Sequence, residues 1–282
     1  MKRVLIFFAV IFVIVLLISL MLTFSRTVPL GEKVAIVRVT GVIIDSGSVI
    51  EELKGYSKDS SVKAIVLRVD SPGGAVAPSQ EIYQEILKVK KKKKVVVSMG
   101  SVAASGGYYI SAPADRIVAN AGTLTGSIGV IMEIPNVRGL MEKVGIETEV
   151  IKSGKHKDMA SVFKSMTPEE RRILQAVLDD VHEQFIRAVS DARGMKFEDV
   201  RKLADGRIFT GRKARELGLV DELGNLHDAV MLAGSLSGIR GEPGVVEKKE
   251  KFGFFDLLRG ELPERLINRV FPGIRLKYIL AL

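Results

Sequence analysis

The stretch that decides the fold is AIVLRVDSPGGAVAPSQEIYQEILKVKKKKKVVVSMGS, residues 64–101. It opens with an apolar run at 64–71 and closes with another at 95–101, and both are rich in β-branched residues, as strands are. Between them, Ile82, Ile86 and Val89 recur at helical spacing within residues 79–90. A strand, a helix and a second strand in this order predict two parallel strands joined by a crossover helix. The sequence therefore favours the α/β class with a largely parallel sheet.

Neighbouring segments extend the same pattern. VAIVRVTGVI at 34–43 predicts another strand, and residues 48–56 place Val49, Ile50 and Leu53 on one helical face. A longer helix is predicted from Thr167 to about Val189. Its start, TPEE, supplies an N-cap, a proline in the first turn and two acids at the positive end of the helix dipole.

Composition excludes several functional classes. The 282 residues are 47% hydrophobic, which rules out a largely disordered chain and leaves room for one sizeable domain. The absence of cysteine excludes disulfides, thiolate metal sites and cysteine nucleophiles. The net charge of +9 comes without the signature of a nucleic-acid module, so we expect no nucleic-acid partner. Three scattered histidines match no metal motif, and we expect neither a metal nor a cofactor.

The N-terminus predicts a membrane anchor. The segment from Val4 to Phe24 is apolar apart from Ser19 and Thr23, and as a helix it would be about 31 Å long, enough to cross the hydrocarbon. No small-residue cleavage site follows it, so we expect an uncleaved span in contact with membrane lipid. The basic residues at 2–3 favour a cytoplasmic N-terminus. Residues 1–27 are therefore predicted to form the cytoplasmic end and a single-pass anchor in the cell membrane, with the remainder on the extracytoplasmic side.

Beyond the anchor we predict a domain over residues 28–240 and a tail over residues 241–282. The tail mixes aromatic, aliphatic and basic residues, so it could contact the membrane, a neighbouring subunit or its own domain. The sequence does not choose among these three. The run of lysines at 88 and 90–94 could bind anionic lipid, but a solvated helix C-terminus is the favoured interpretation.

Candidate chemistry centres on Ser105. It lies in VAASGG, residues 102–107, just past a predicted strand, and its small neighbours would let the chain turn sharply and present the hydroxyl. The alternative is a small residue in a tightly packed core. DSPGG, residues 70–74, also ends a strand, and it is either an ordinary turn or a loop whose backbone N–H groups hold an oxyanion.

A serine nucleophile needs a base. SGKHKD, residues 153–158, offers His156 between Lys155 and Lys157, with Lys152 just before them. A lysine can act as the base where burial lowers its pKa. Spacing alone does not choose among these residues. A Ser-His esterase or lipase that uses His156, His182 or His227 and a non-enzymatic membrane scaffold are the rival hypotheses.

The motifs taken together resemble one family. LRVDSPGG, VAASGGYYISAPAD, GTLTGSIGV, SGKHKD and ADGRIFTGRKARELGLVDELG occur in this order behind the anchor. The combination is similar to the signal peptide peptidase A family, membrane-tethered serine proteases with a Clp-protease/crotonase-like fold, a spiral of ββα units. The resemblance covers roughly residues 33–230. It implies hydrophobic peptide substrates such as remnant signal peptides, a ring-shaped homo-oligomer and no cofactor.

The resemblance also implies residue roles. Ser105 corresponds to the nucleophile, Lys157 rather than His156 to the base, and Ser127 to the hydroxyl that orients the base. For catalysis the Lys157 amine must be neutral, so we expect it to be shielded from water, with the Asp158 carboxylate turned away from it.

The expected oxyanion donors are backbone N–H groups. One is that of Gly106, which follows the nucleophile. The other comes from the PGG turn, where Gly74 is preferred and Gly73 is the alternative.

Overall fold

The computed structural model describes residues 11–16, 31–248 and 277–279. Residues 11–16 form a helix, α1, whose apolar side chains are exposed. The rest of the predicted anchor, residues 4–24, lies outside the described residues. Within the described ranges, none of the helices has the length and apolar character needed to cross a membrane.

A largely parallel sheet forms the centre of the domain, as the sequence predicts. Its middle strands are β1 (Lys33–Thr40), β2 (Val62–Ser71) and β4 (Lys94–Ala104), and they run parallel in the order β4-β2-β1. The strands that extend this sheet are β5 (Arg116–Ala119), β6 (Leu124–Gly126), β7 (Ile208–Thr210), β8 (Glu222–Leu223) and β9 (Gly244–Glu247). β9 pairs with β1 and lies in the segment predicted as the tail. A short strand, β3 (Gly73–Ala75), lies apart from this sheet and pairs with β10 (Lys277–Ile279).

The helices are α2 (Gly47–Lys58), α3 (Val76–Lys90), α4 (Gly106–Ser111), α5 (Arg138–Lys143), α6 (Pro168–Arg193), α7 (Phe197–Leu203), α8 (Gly211–Glu216) and α9 (Leu226–Leu236). The predicted start of α6 is confirmed. The Thr167 hydroxyl accepts the Glu170 N–H at 3.2 Å, and the Glu170 carboxylate accepts the Thr167 N–H at 2.9 Å. This reciprocal capping box fixes the helix at its predicted N-cap.

Both faces of the sheet are buried, which explains why its central strands are continuous apolar runs rather than alternating ones. On one face Leu67 and Val97 join a cluster that includes residues of α2, α3, α4 and α6. On the other face Val66 and Val96 join a cluster that includes α9 residues such as Ala233.

The lysine run lies at the C-terminal end of α3, as its favoured interpretation expects. Lys93 is not simply solvated, because its ammonium donates to the backbone carbonyls of Tyr56 and Val62, each at 2.6 Å. Lys91 and Lys92 are exposed. The run therefore combines one structural lysine with cations placed at the negative end of a helix dipole.

Candidate active site

Ser105 occupies a strained turn between β4 and α4. Its backbone has φ 54° and ψ −118°, a left-handed conformation that costs a residue other than glycine about 1–3 kcal/mol. The turn is held because the Ser105 N–H donates to the Gly126 carbonyl at 2.8 Å and the Tyr109 N–H donates to the Ser105 carbonyl at 2.8 Å. Ser105 is buried, and its Oγ has no hydrogen-bond partner in the described part of the chain. A strained backbone and a buried hydroxyl without a hydrogen-bond partner are together typical of a catalytic nucleophile whose base and substrate are not in place.

The glycines after Ser105 let the turn pack closely against its surroundings. A Cβ on Gly106 would lie 2.8 Å from the Ser79 hydroxyl and 3.1 Å from the Gly74 nitrogen. A Cβ on Gly107 would lie 2.7 Å from the Ser71 carbonyl oxygen. These spacings leave no room for a side chain, so the glycines after Ser105 bring this turn into contact with the DSPGG segment.

The two glycines of the DSPGG segment, Gly73 and Gly74, belong to β3, which is fixed on one side by Ile43. The Ile43 N–H donates to the Gly73 carbonyl at 2.9 Å, and the Ala75 N–H donates to the Ile43 carbonyl at 2.7 Å. Since backbone groups alternate along a strand, the N–H and C=O of Gly74 point to the opposite edge of β3. The Gly73 N–H is already engaged by the Ser71 hydroxyl at 3.1 Å. Of the two glycines considered as oxyanion donors, this geometry favours Gly74.

Asp70 is a supporting residue that sequence reasoning missed. Its carboxylate accepts the Val102 N–H at 3.0 Å, across a register shift between β2 and β4. It also fills the space beside Gly100, where a Cβ would lie 2.7 Å from the Asp70 Cγ. Asp70 therefore ties the end of β2 to the last part of β4, just before the turn that carries Ser105. The aspartate at the end of β2 was visible in the sequence, but its partner three residues before Ser105 was not.

A segment of the predicted tail pairs with the edge of β3 opposite Ile43. Residues 277–279 form β10, antiparallel to β3, with Tyr278 opposite Gly74. The edge toward which the Gly74 backbone points therefore accepts an extended peptide.

Ser127 lies beside the same turn. It directly follows Gly126, the residue whose carbonyl binds the Ser105 N–H, and its own N–H donates to the Arg207 carbonyl at 2.8 Å. With φ 50° it is a second strained residue, and it too is buried. Two adjacent backbone segments in unfavourable conformations make this region the candidate functional site.

Lys157 is not brought to Ser105 within one chain. It lies in the loop between α5 and α6, its side chain is exposed, and no hydrogen bond joins it to Ser105 or Ser127 among the described residues. The expectation of a shielded amine is therefore not met within a single chain, because no described segment of the chain covers it. The loop has its own strained residue, Ala160, at φ 67°.

The Asp158 carboxylate binds two other lysines. Lys152 donates to one oxygen at 2.6 Å, and Lys164 lies 3.1 Å from the other. The Lys152 hydrogen bond, followed by that of Lys164, lowers the pKa of Asp158 to about 2. Lys164 also donates to Glu170 at 2.5 Å and so ties this loop to the first turn of α6. The carboxylate next to Lys157 is thus occupied elsewhere.

None of the histidines contacts the Ser105 hydroxyl, which has no hydrogen-bond partner among the described residues. His156 lies 3.6 Å from the Glu169 carboxylate, while His182 and His227 lie on α6 and α9. Within the described ranges there is also no cluster of histidine, aspartate or glutamate able to hold a metal ion.

A buried serine on a strained turn from strand to helix, next to glycine amides at a strand edge, defines the site of a serine hydrolase. Comparison with known proteins narrows this class. Residues 87–240 match peptidase family S49, and residues 32–125 match the Clp protease family. The chain belongs to peptidase family S49 and is a serine protease.

Relatives from distant organisms agree. A candidate protease of Synechocystis sp. is 46% identical over 86% of this chain and 84% of its own length. A candidate signal peptide peptidase SppA of Enterococcus faecium is 39% identical over 71% of this chain and 62% of its own. Protease 4 of Salmonella typhi is 38% identical over 74% of this chain but only 35% of its own length.

Proposed function

We propose that this protein is a membrane-anchored serine endopeptidase that degrades remnant signal peptides and other hydrophobic peptide segments through Ser105 and Lys157. The observation that carries the proposal is the buried Ser105 hydroxyl, which has no hydrogen-bond partner in the described part of the chain and lies on a strained turn beside the amide of Gly74. The proposal includes the crotonase-like spiral of ββα units and one N-terminal transmembrane helix over residues 4–24. The catalytic domain lies on the extracytoplasmic side of the cell membrane.

The reaction is an acyl transfer. The neutral Lys157 amine takes the proton of the Ser105 hydroxyl while Oγ attacks the carbonyl carbon of the scissile peptide bond. The oxyanion that forms accepts hydrogen bonds from the N–H groups of Gly74 and Gly106, each contributing roughly 3 kcal/mol to transition-state stabilisation. The leaving amine receives the proton from Lys157 as the peptide bond breaks. The Lys157 amine then takes a proton from a water molecule that attacks the acyl carbonyl, and it returns that proton to the Ser105 oxygen as the acyl group leaves. The Ser127 hydroxyl orients the amine without adding a charge.

The base comes from a neighbouring protomer of a ring. Three features support this arrangement: the Ser105 hydroxyl has no hydrogen-bond partner among the described residues of its own chain, Lys157 is exposed, and the segment before Lys157 presents apolar side chains to solvent. Ile151 is 96% exposed, and Leu140 and Val144 of the same segment are also exposed. Docking of this segment on a second copy would bury these side chains and shield the Lys157 amine from water. Single chains would then be inactive, which protects folded proteins during assembly.

The substrate binds as a strand along β3. β10 supports this mode, because a segment of the chain already pairs antiparallel with residues 73–75. The tail ends in LKYILAL, an apolar sequence of the kind expected in a signal peptide. Main-chain hydrogen bonds to β3 would place an extended peptide beside Ser105 largely independently of its side chains.

A labelling experiment tests the proposal. The full-length protein in detergent is treated with a serine-reactive phosphonate, and the modified residue is mapped by mass spectrometry. We expect the label on Ser105, a strong loss of labelling and of peptide hydrolysis in Lys157→Ala, and near-normal rates in the matched control His156→Ala. Labelling of another serine contradicts the assignment of the nucleophile, and a fully active Lys157→Ala contradicts the assignment of the base.

A further inference from the structure

Ser79 lies in the first turn of α3, directly after β3, and is completely buried. Its hydroxyl donates to the carbonyl of Ala75 at 2.9 Å. Ala75 is the N-cap of α3 and also the last residue of β3. The hydrogen bond therefore ties the helix to the strand that carries Gly74.

The same hydroxyl is packed against the nucleophile turn. A Cβ on Gly106 would lie only 2.8 Å from the Ser79 Oγ, so this oxygen sits against the Cα of Gly106. The Gly74 nitrogen lies beside it, 3.1 Å from the same position. One buried side chain thus touches both backbone segments that are expected to supply oxyanion donors.

We infer that Ser79 is a positioning residue for the oxyanion hole, one that sets the spacing between the amides of Gly74 and Gly106. This inference rests on the proposed function, in which both amides bind the oxyanion. Two donors can act on one oxygen only if both lie about 2.7–3.1 Å from it. A small change in the distance between the two amides therefore weakens binding of the transition state more than binding of the substrate. Without the Ser79 hydroxyl, the Ala75 carbonyl loses a hydrogen bond, and Gly106 loses a packing contact with the Ser79 oxygen.

The chain offers a matched control at Ser237. At the end of α9, its hydroxyl donates to the Ala233 carbonyl at 2.9 Å, the same bond to the residue four positions earlier, and it also lies 3.0 Å from the Gly234 carbonyl. Ser237 follows a helix that packs on the opposite face of the sheet from α3 and α4. A serine that serves only its helix would behave like Ser237 when replaced by alanine.

The experiment compares Ser79→Ala and Ser237→Ala in the full-length protein. The measurements are kcat and KM on a hydrophobic peptide, the rate of phosphonate labelling of Ser105, and the melting temperature. We expect Ser79→Ala to lower kcat and the labelling rate about tenfold with KM within about twofold, because the lost contact acts on the transition state. Ser237→Ala should leave kcat, KM and the labelling rate near their wild-type values, and its small change in melting temperature should be similar to that of Ser79→Ala. Should Ser79→Ala not fold, Ser79→Cys, which keeps the shape but donates weakly, takes its place.

The inference is overturned if Ser79→Ala keeps kcat within about twofold of the wild type, or if its kcat loss equals that of Ser237→Ala. Ser105→Ala separates this outcome from failure of the proposed function. An active Ser105→Ala defeats the proposed function itself, whereas an inactive Ser105→Ala beside a normal Ser79→Ala defeats only the role of Ser79.

Discussion

Replacing Gly74 by alanine should abolish most activity while leaving the protein folded. The new Cβ would lie 2.6 Å from the carbonyl carbon of Ile43 and closer still to its oxygen. Backbone atoms cannot rotate away as a long side chain can, so β3 must leave Ile43. Both hydrogen bonds between Ile43 and the residues flanking Gly74 would then be stretched or lost.

The expected magnitudes differ for stability and for activity. Two lost hydrogen bonds at about 0.5–1.5 kcal/mol each, together with overpacking at about 1–3 kcal/mol, give a stability loss of roughly 2–6 kcal/mol. This corresponds to a melting temperature lower by about 4–24 °C for a domain of this size. Displacement of one oxyanion donor should lower kcat by about 10²–10³-fold, far more than the small unfolded fraction at 25 °C could explain.

The assay is peptide hydrolysis at 25 °C with thermal unfolding followed by circular dichroism. Gly122→Ala is the matched control, since a Cβ there meets no atom within 4 Å, and it should change neither quantity appreciably. If folded Gly74→Ala retains kcat/KM within about threefold of the wild type, the close approach of β3 to Ile43 does not position the oxyanion donor.

Two further perturbations follow from the structure. Deletion of residues 277–282 removes β10 and leaves the edge of β3 open to substrate. The KM for a hydrophobic peptide should then fall about threefold or more at unchanged kcat. An unchanged KM would show that the tail does not compete with substrate. Lys164→Met removes the cation that is the main cause of the low pKa of Glu170, about 2, so in a carboxyl-carbon NMR titration this pKa should rise toward the ordinary value of 4.5. The pKa of Asp158, also about 2, should rise less, because the Lys152 hydrogen bond is its largest cause and remains. A carboxyl group whose pKa is lowered in the fold stabilises the protein at pH values above its ordinary pKa, and this stabilisation is lost as the pH falls toward 2. The loss of stability in Lys164→Met should therefore be largest near neutral pH and shrink in acid. A loss that does not change with pH would point to lost packing instead.

The sequence was most informative where structure depends on local patterns. The apolar runs at 64–71 and 95–101 became β2 and β4, with ends extended by at most three residues, and the cap at Thr167 formed as predicted. Strand, helix and cap signals lie within a few residues of one another, so they can be read without knowledge of tertiary contacts. The small residues around Ser105 likewise predicted a tight turn.

What the sequence could not supply depends on contacts between distant segments. The pairing of β10 with β3 joins residues some 200 positions apart through three residues each, too short for a periodic signal. The resemblance already preferred Gly74 to Gly73 as the oxyanion donor, but a physical reason for that preference lies in the hydrogen bonds around the two glycines, which the sequence does not show. The exposure of Lys157 could not be foreseen either, because a short motif does not show which segments pack over its residues.

Subunit mixing tests the central claim, a Ser105 and Lys157 pair formed between protomers, most directly. Differently tagged Ser105→Ala and Lys157→Ala chains are co-expressed, assemblies carrying both tags are purified, and peptide hydrolysis is measured. In a ring whose sites each take the serine from one chain and the lysine from the next, random mixing should restore about a quarter of wild-type activity, although each variant alone is inactive. Mixed assemblies as inactive as the two variants alone would contradict a dyad shared between protomers.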